Sequence, residues 1–215
     1  MLIVLTSEKE IINEAMLLNQ LFDNGLEVLH LRKPSFDIDG YRKLLDEIDV
    51  KHLSRIMIHQ YHELSTEFGL RGIHIQEQSR LDLGKKLKDY VRLWKFGRET
   101  FKRTTNNQQP TTNNYYVSSS FHEPEELADC EIEFDYHLLS PVFSSISKQG
   151  YEGRGFDVND IDKTIIGMGG VNANTIPDIL KLGFKGIGVL GGVWNAENPL
   201  ESFKNIKEQF DGLVS

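Results

Sequence analysis

The stretch "TIIGMGGVNANTIPDILKLGFKGIGVLGG", residues 164–192, carries one full unit of the fold. A short β-rich apolar run ends in glycines (164–170), an amphipathic segment "NTIPDILKLG" follows, and a second apolar run ends in glycines again (186–192). Strand, helix, strand in this order predicts two parallel strands joined by a helical crossover. Pro177 fits the first turn of that helix, where its missing N–H costs little.

The same alternation runs outward to both ends of the chain. Upstream, "LIVLT" (2–6), "EVLHLR" (27–32), "RIMIH" (55–59), "GIHIQ" (72–76), "YYVSSS" (115–120) and "FDYHLLS" (134–140) read as six more strands. Between them lie helical segments. Ile11, Ala15, Leu18 and Phe22 recur at spacings of four, three and four and define one face, with Asn24-Gly25 as the stop. "IDGYRKLLDEI", "HELSTEF" and "EPEELADC" supply others. Downstream, Pro199 opens a last helix with Leu200, Phe203, Ile206, Phe210 and Leu213 on one face. Eight strand–helix units predict a closed (β/α)₈ barrel, an α/β fold in one domain spanning residues 1–215, with an open doubly wound sheet as the alternative. The rhythm breaks in two places. Residues 85–103 carry eight Lys/Arg against two acids, the pattern of a solvated helix or strand face, with contact to an anion or a partner as the alternative. Residues 104–114, "TTNNQQPTTNN", predict a mobile polar insert.

Composition narrows the function. At 215 residues and 26% charged, the chain has the makeup of a soluble globular domain, and no window approaches the roughly 18 apolar residues of a membrane span. "MLIVLTSEKE" shows no secretion signal, and a lone Cys130 suits a reducing compartment, so the expectation is a cytoplasmic protein. A net charge of −8 argues against nucleic-acid binding but not against a small anion. Eight of the 18 glycines fall between Gly167 and Gly192, in clusters that end two consecutive strands. In a barrel the loops after strands seven and eight commonly form a phosphate site, because glycine lets the backbone approach and helix N-terminal N–H groups point at the anion.

Several motifs then resemble one family in order along the chain. "GMGGVNANTIPDILKLGFKGIGVLGG" resembles the phosphate-binding half of the thiamin phosphate synthase/TenI family, "GLEVLHLRKP" its second strand, "SSSFHEPEEL" its fifth strand end, and "DYHLLSPVFSSISKQGYEGRG" its sixth strand and loop. The resemblance implies a (β/α)₈ barrel working in thiamin synthesis, in one of two branches. Synthases join a pyrimidine pyrophosphate to a thiazole phosphate with magnesium. The characterised TenI activity is an isomerase that moves a proton on a thiazole phosphate carboxylate. Where the synthase signatures carry magnesium-binding aspartates, this chain reads Ile58-His59-Gln60 and His74-Ile75-Gln76-Glu77-Gln78-Ser79. Both positions lack the carboxylate that magnesium needs, and Glu77 is one place out of register. His30, ahead of Leu31-Arg32-Lys33-Pro34, is also TenI-like.

The expected function is therefore the thiazole tautomerase, an isomerase. The synthase, a transferase, is the alternative, and a non-catalytic phosphate-binding barrel is the third. By the resemblance, His122 carries the proton, and histidine suits this because both its protonation states exist near neutral pH. The phosphate would sit on Gly169, Gly170, Gly191 and Gly192. Arg32, Lys33 and Lys148 would meet the substrate's negative groups. The bland reading of His122 is a residue that hydrogen-bonds locally before a helix. His30, His59 and His74 show no metal-ligand spacing, so no metal or other cofactor is expected, or magnesium if the chain is a synthase. Tyr136 and His137 read as core or barrel-lining residues, and Ser118 to Ser120 as pocket-lining ones. The partner expected is a small phosphorylated thiazole. Family members often form homodimers, and the resemblance carries that implication here.

Overall fold

A computed structural model describes residues 1–96, 115–144 and 153–214. Eight strands form: β1 (Leu2–Leu5), β2 (Val28–Leu31), β3 (Ile56–Ile58), β4 (Gly72–Ile75), β5 (Tyr116–Phe121), β6 (Tyr136–Leu139), β7 (Ile165–Met168) and β8 (Gly186–Val189). Each pairs in parallel with the next, and β8 pairs with β1 through Ile3 and Gly188, so the sheet closes into a barrel. The helices are α1 (Glu14–Asp23), α2 (Ile38–Asp46), α3 (Val50–Leu53), α4 (Leu64–Phe68), α5 (Glu77–Leu83), α6 (Leu87–Phe96), α7 (Pro124–Asp129), α8 (Ile176–Lys181), α9 (Gly191–Trp194) and α10 (Pro199–Val214). This is the expected (β/α)₈ architecture. The polar segment 104–114 lies outside the described residues.

The two-residue period of each strand sorts its side chains. Leu2, Val4, Leu29, Leu31, Ile56 and Ile58 face the helices and join the large outer core with Leu18, Phe22, Phe203 and Phe210. Ile3, Leu5, Val28, Met57, Tyr136, Leu138 and Ile166 form a smaller core on the barrel axis. The expected face of α1 holds for Ala15, Leu18 and Phe22, while Ile11 lies before the helix. In α2, Asp37 caps the helix by accepting from the Gly40 N–H at 2.8 Å. Leu213 closes the apolar face of α10 in sequence but is half exposed in the fold. The described part of the basic run forms a one-turn 3₁₀ segment and α6, which buries Leu87 and Val91, leaves Lys88 exposed and pairs the partly buried Lys95 with Asp135 at 3.3 Å.

His137 points outward from β6 into the helix layer, where its ring meets Phe121 and Phe134 at 5.7 and 5.6 Å. Its Nδ1 faces the Thr164 carbonyl at 3.2 Å, and its Nε2 is buried without a partner. Burial therefore pushes its pKa down from 6.5 to about 4. Below 6.5 the unfolded chain binds this proton and the folded chain does not, so stability falls as pH drops toward about 4. The expected loss through this residue is on the order of 2–3 kcal/mol. Urea unfolding of the wild type and His137→Leu at pH 7 and 4.5 checks it: the variant should lose less on acidification.

Candidate active site

A cavity of about 700 Å³ opens where the strands end at their C-terminal tips, lined among others by Leu5, Arg32, His59, Gln76, His122 and Gly169. This is the face where (β/α)₈ enzymes build their sites, because strand ends are rigid and the loops beyond them are free to vary.

His122 follows β5 and lines the cavity. It is held twice by one carboxylate. The His122 backbone N–H donates to Glu77 Oε1 at 3.0 Å, and ring Nδ1 meets Oε2 at 2.5 Å. An ionised carboxylate only accepts, so Nδ1 carries the hydrogen and Nε2 of the neutral ring is left as the base. Glu77 is itself placed by the start of α5, where its N–H donates to Ser120 Oγ at 3.0 Å, and Arg80 stands 3.5 Å from Oε1. Arg154 braces the other side: it donates to the His122 carbonyl at 3.1 Å and forks onto Glu123 at 2.6 and 2.7 Å. A histidine with a dedicated carboxylate and one free nitrogen is more than a local helix-start contact, since the bond bridges 45 residues of chain.

The ends of β7 and β8 add a wall of glycine. Gly169, Gly170, Gly191 and Gly192 all line the cavity, as the sequence led us to expect. Gly191 and Gly192 are the first residues of α9, whose opening N–H groups have no partner within the helix. Gly170 has φ +65°, and a Cβ there would stand 2.6 Å from the Ser144 carbonyl oxygen. Gly170→Ala should therefore raise the KM for a phosphorylated ligand at least tenfold with a smaller change in kcat, as steady-state kinetics would show.

Arg32 also reaches the cavity, where it is ion-paired to Glu8, with Nε 3.5 Å from Gln76 Oε1. Lys33 is not part of the site. Its neighbour on the chain faces the cavity, so the period of the strand turns Lys33 the other way. There it is fully buried, with Nζ 2.6 Å from Glu14 and donating to the Lys9 carbonyl at 2.8 Å. Lys148 lies outside the described residues. Of the three serines, Ser120 lines the cavity, Ser118 lies buried beside His74, and Ser119 turns outward to bond the Ile75 carbonyl.

Two groups of side chains offer metal ligands among the described residues: His30, His59 and His74 inside the barrel, and Asp23, Asp49 and His52 at the surface. The hard oxygen set that magnesium wants is a poor fit to the cavity. Gln60 accepts from Tyr41 at 2.8 Å, Gln78 is an amide, Glu77 is committed to His122, and Glu8 is paired with Arg32. In the sequence Glu77 stands out only as an out-of-register acid, and nothing there ties it to His122.

Comparison with known proteins adds an independent line. No family model matches the chain. A thiamine-phosphate synthase of Methanococcus maripaludis is 30% identical over 98 residues, which is 43% of this chain and 47% of the relative, so the match spans about half of each. A solved thiamine phosphate pyrophosphorylase from Bacteroides thetaiotaomicron is 27% identical, with a TM-score of 0.69 over 98% of this chain and 97% of that one. The pyrophosphorylase of that name from Pyrococcus furiosus shares the fold, with a TM-score of 0.73 at 14% identity over 100% of this chain and 96% of its own. Motif order, barrel and relatives agree in their likeness to the thiamin phosphate synthase/TenI family.

Proposed function

We propose that the protein works in thiamin synthesis on a thiazole phosphate, and that its reaction is the tautomerisation of the thiazole phosphate carboxylate. The observation that carries this reading is that the His122–Glu77 pair and the glycine wall line one cavity. The phosphate sits on the backbone of Gly169, Gly170, Gly191 and Gly192, with positive φ at Gly169 and Gly170 bringing that backbone close. Arg32 exchanges Glu8 for the substrate carboxylate, a bidentate partner of the same shape. Lys148, outside the described residues, is proposed to meet a negative group of the substrate. His122 Nε2 removes a ring proton and returns it at another position, so no atom is gained or lost. Glu77 keeps the ring in the one tautomer that exposes Nε2 and stabilises the imidazolium formed on the way.

A second reading, coupling of the pyrimidine pyrophosphate to the thiazole phosphate, is favoured by a different observation. The Methanococcus relative carries the synthase name, and the solved Bacteroides structure is named a thiamine phosphate pyrophosphorylase. Both readings use the same phosphate wall, and they part at the pyrophosphate, whose charge needs a cation. One experiment separates them: incubation of the purified protein with each substrate set, with and without magnesium, followed by NMR. Metal-independent conversion of the carboxylate tautomer supports proton transfer. Magnesium-dependent appearance of thiamin phosphate, with no tautomer conversion above the protein-free rate, establishes coupling instead.

A further inference from the structure

The barrel interior holds a feature that neither reading uses. Where aliphatic side chains fill the axis at β1 and β7, three imidazoles pack together from β2, β3 and β4: His30, His59 and His74, exposed by 0, 6 and 1%. Their ring centroids lie 5.1, 5.1 and 4.1 Å apart. We propose that His30, His59 and His74 form a binding site for one divalent transition-metal ion of the zinc class, at the floor of the active-site cavity.

Four observations support it. First, one nitrogen from each ring lies within 4.8 Å of the others. Three atoms so placed share a point within roughly 2.8 Å of each, so shifts of about 0.7 Å reach the ~2.0–2.1 Å of a Zn–N bond. Second, two of the rings already have the outer partners that orient ligand histidines. His30 Nε2 meets the Tyr136 hydroxyl at 2.6 Å, and His74 Nδ1 meets Ser118 Oγ at 2.8 Å. When those two nitrogens carry the hydrogens, the opposite nitrogens present lone pairs. Third, the imidazoles do not satisfy one another. His30 Nδ1 and His59 Nε2 share one proton across 2.9 Å, and His59 Nδ1 is buried with no protein partner. An unmet buried polar atom costs about 1–3 kcal/mol, and an ion draws on the lone pairs that the protein leaves over. Fourth, His59 and His74 line the cavity, so a fourth coordination position opens toward substrate space. Burial also keeps all three rings neutral, the form that ligates. Imidazole nitrogens select zinc, cobalt or nickel over magnesium, which separates this site from a synthase magnesium site.

The test uses the full chain stripped of metal. Equilibrium dialysis against zinc and titration with cobalt should each give one equivalent per chain, with the intense visible bands of a low-coordinate cobalt centre. His59→Ala should abolish binding, and His74→Gln should weaken it at least tenfold. Asp49→Asn, which disrupts the surface group, should leave it unchanged. If the buried variants do not fold, ring-nitrogen NMR of the wild type decides: zinc should move the resonances of the three buried histidines. The proposal is overturned if the wild type takes up no metal, if only the His52 signals move, or if binding follows Asp49→Asn. Each of those outcomes leaves a water-filled hydrogen-bond network as the reading of the trio.

Discussion

Replacing His122 by asparagine should slow tautomerisation roughly 10²- to 10⁴-fold, the range a positioned acid–base group supplies. Asparagine keeps the hydrogen bond to Glu77 and removes the titrating nitrogen, so the loss reads proton transfer and not lost shape. It should fall on kcat with KM little changed, because on the proposed reading the phosphate is held by the glycines after β7 and β8 and not by His122. Glu77→Gln makes the companion measurement. An amide can still face Nδ1, but it carries no charge to stabilise the imidazolium, so the pH–rate profile should shift along with a smaller fall in kcat. Single-turnover NMR across a pH series checks both. A His122→Asn enzyme running at the wild-type rate would remove the proton-carrier role.

The second large effect concerns stability. Lys33 and Glu14 form an ion pair with 0 and 6% of their side chains exposed, shut under the Lys9 carbonyl. Lys33→Met strips the cation and leaves the carboxylate in a desolvated site, where burial already holds its pKa above the ordinary value. The expected cost is about 3–5 kcal/mol at neutral pH, by urea unfolding. A raised carboxylate pKa means that the folded state holds its proton more firmly than the unfolded one. The deficit should therefore be full above the raised folded-state pKa and shrink as pH falls through it toward the unfolded carboxylate range. The double variant Lys33→Met, Glu14→Leu should recover most of the loss, because no charge is then left buried.

The fold was legible in the sequence because eight apolar runs separated by amphipathic segments leave few other architectures. The glycine wall of the cavity was legible for a related reason: glycine clusters after strands seven and eight mark backbone that approaches something closely. Lys33 was misread because sequence proximity to Arg32 says nothing about facing, and one step along an extended chain reverses the side chain. Glu77 was missed as the partner of His122 because the contact spans 45 residues and exists only once β4 and β5 lie side by side. The three histidines were named together in the sequence and set aside as ligands because their spacing along the chain carries no metal signature; only the closed sheet brings their rings together.

The position of Glu77 has a consequence for how such barrels diverge. It opens a helix, and each step along a helix turns the side chain by about 100°. An acid one place further on would project from a different side of α5, away from the imidazole. On the proposed reading, a shift of this carboxylate by one residue would take it off the ring it orients, while strands, glycine wall and cavity stay as they are. A lineage could change its chemistry here without remaking its scaffold, and two neighbouring acids at this helix start would form the natural bridge between the two positions.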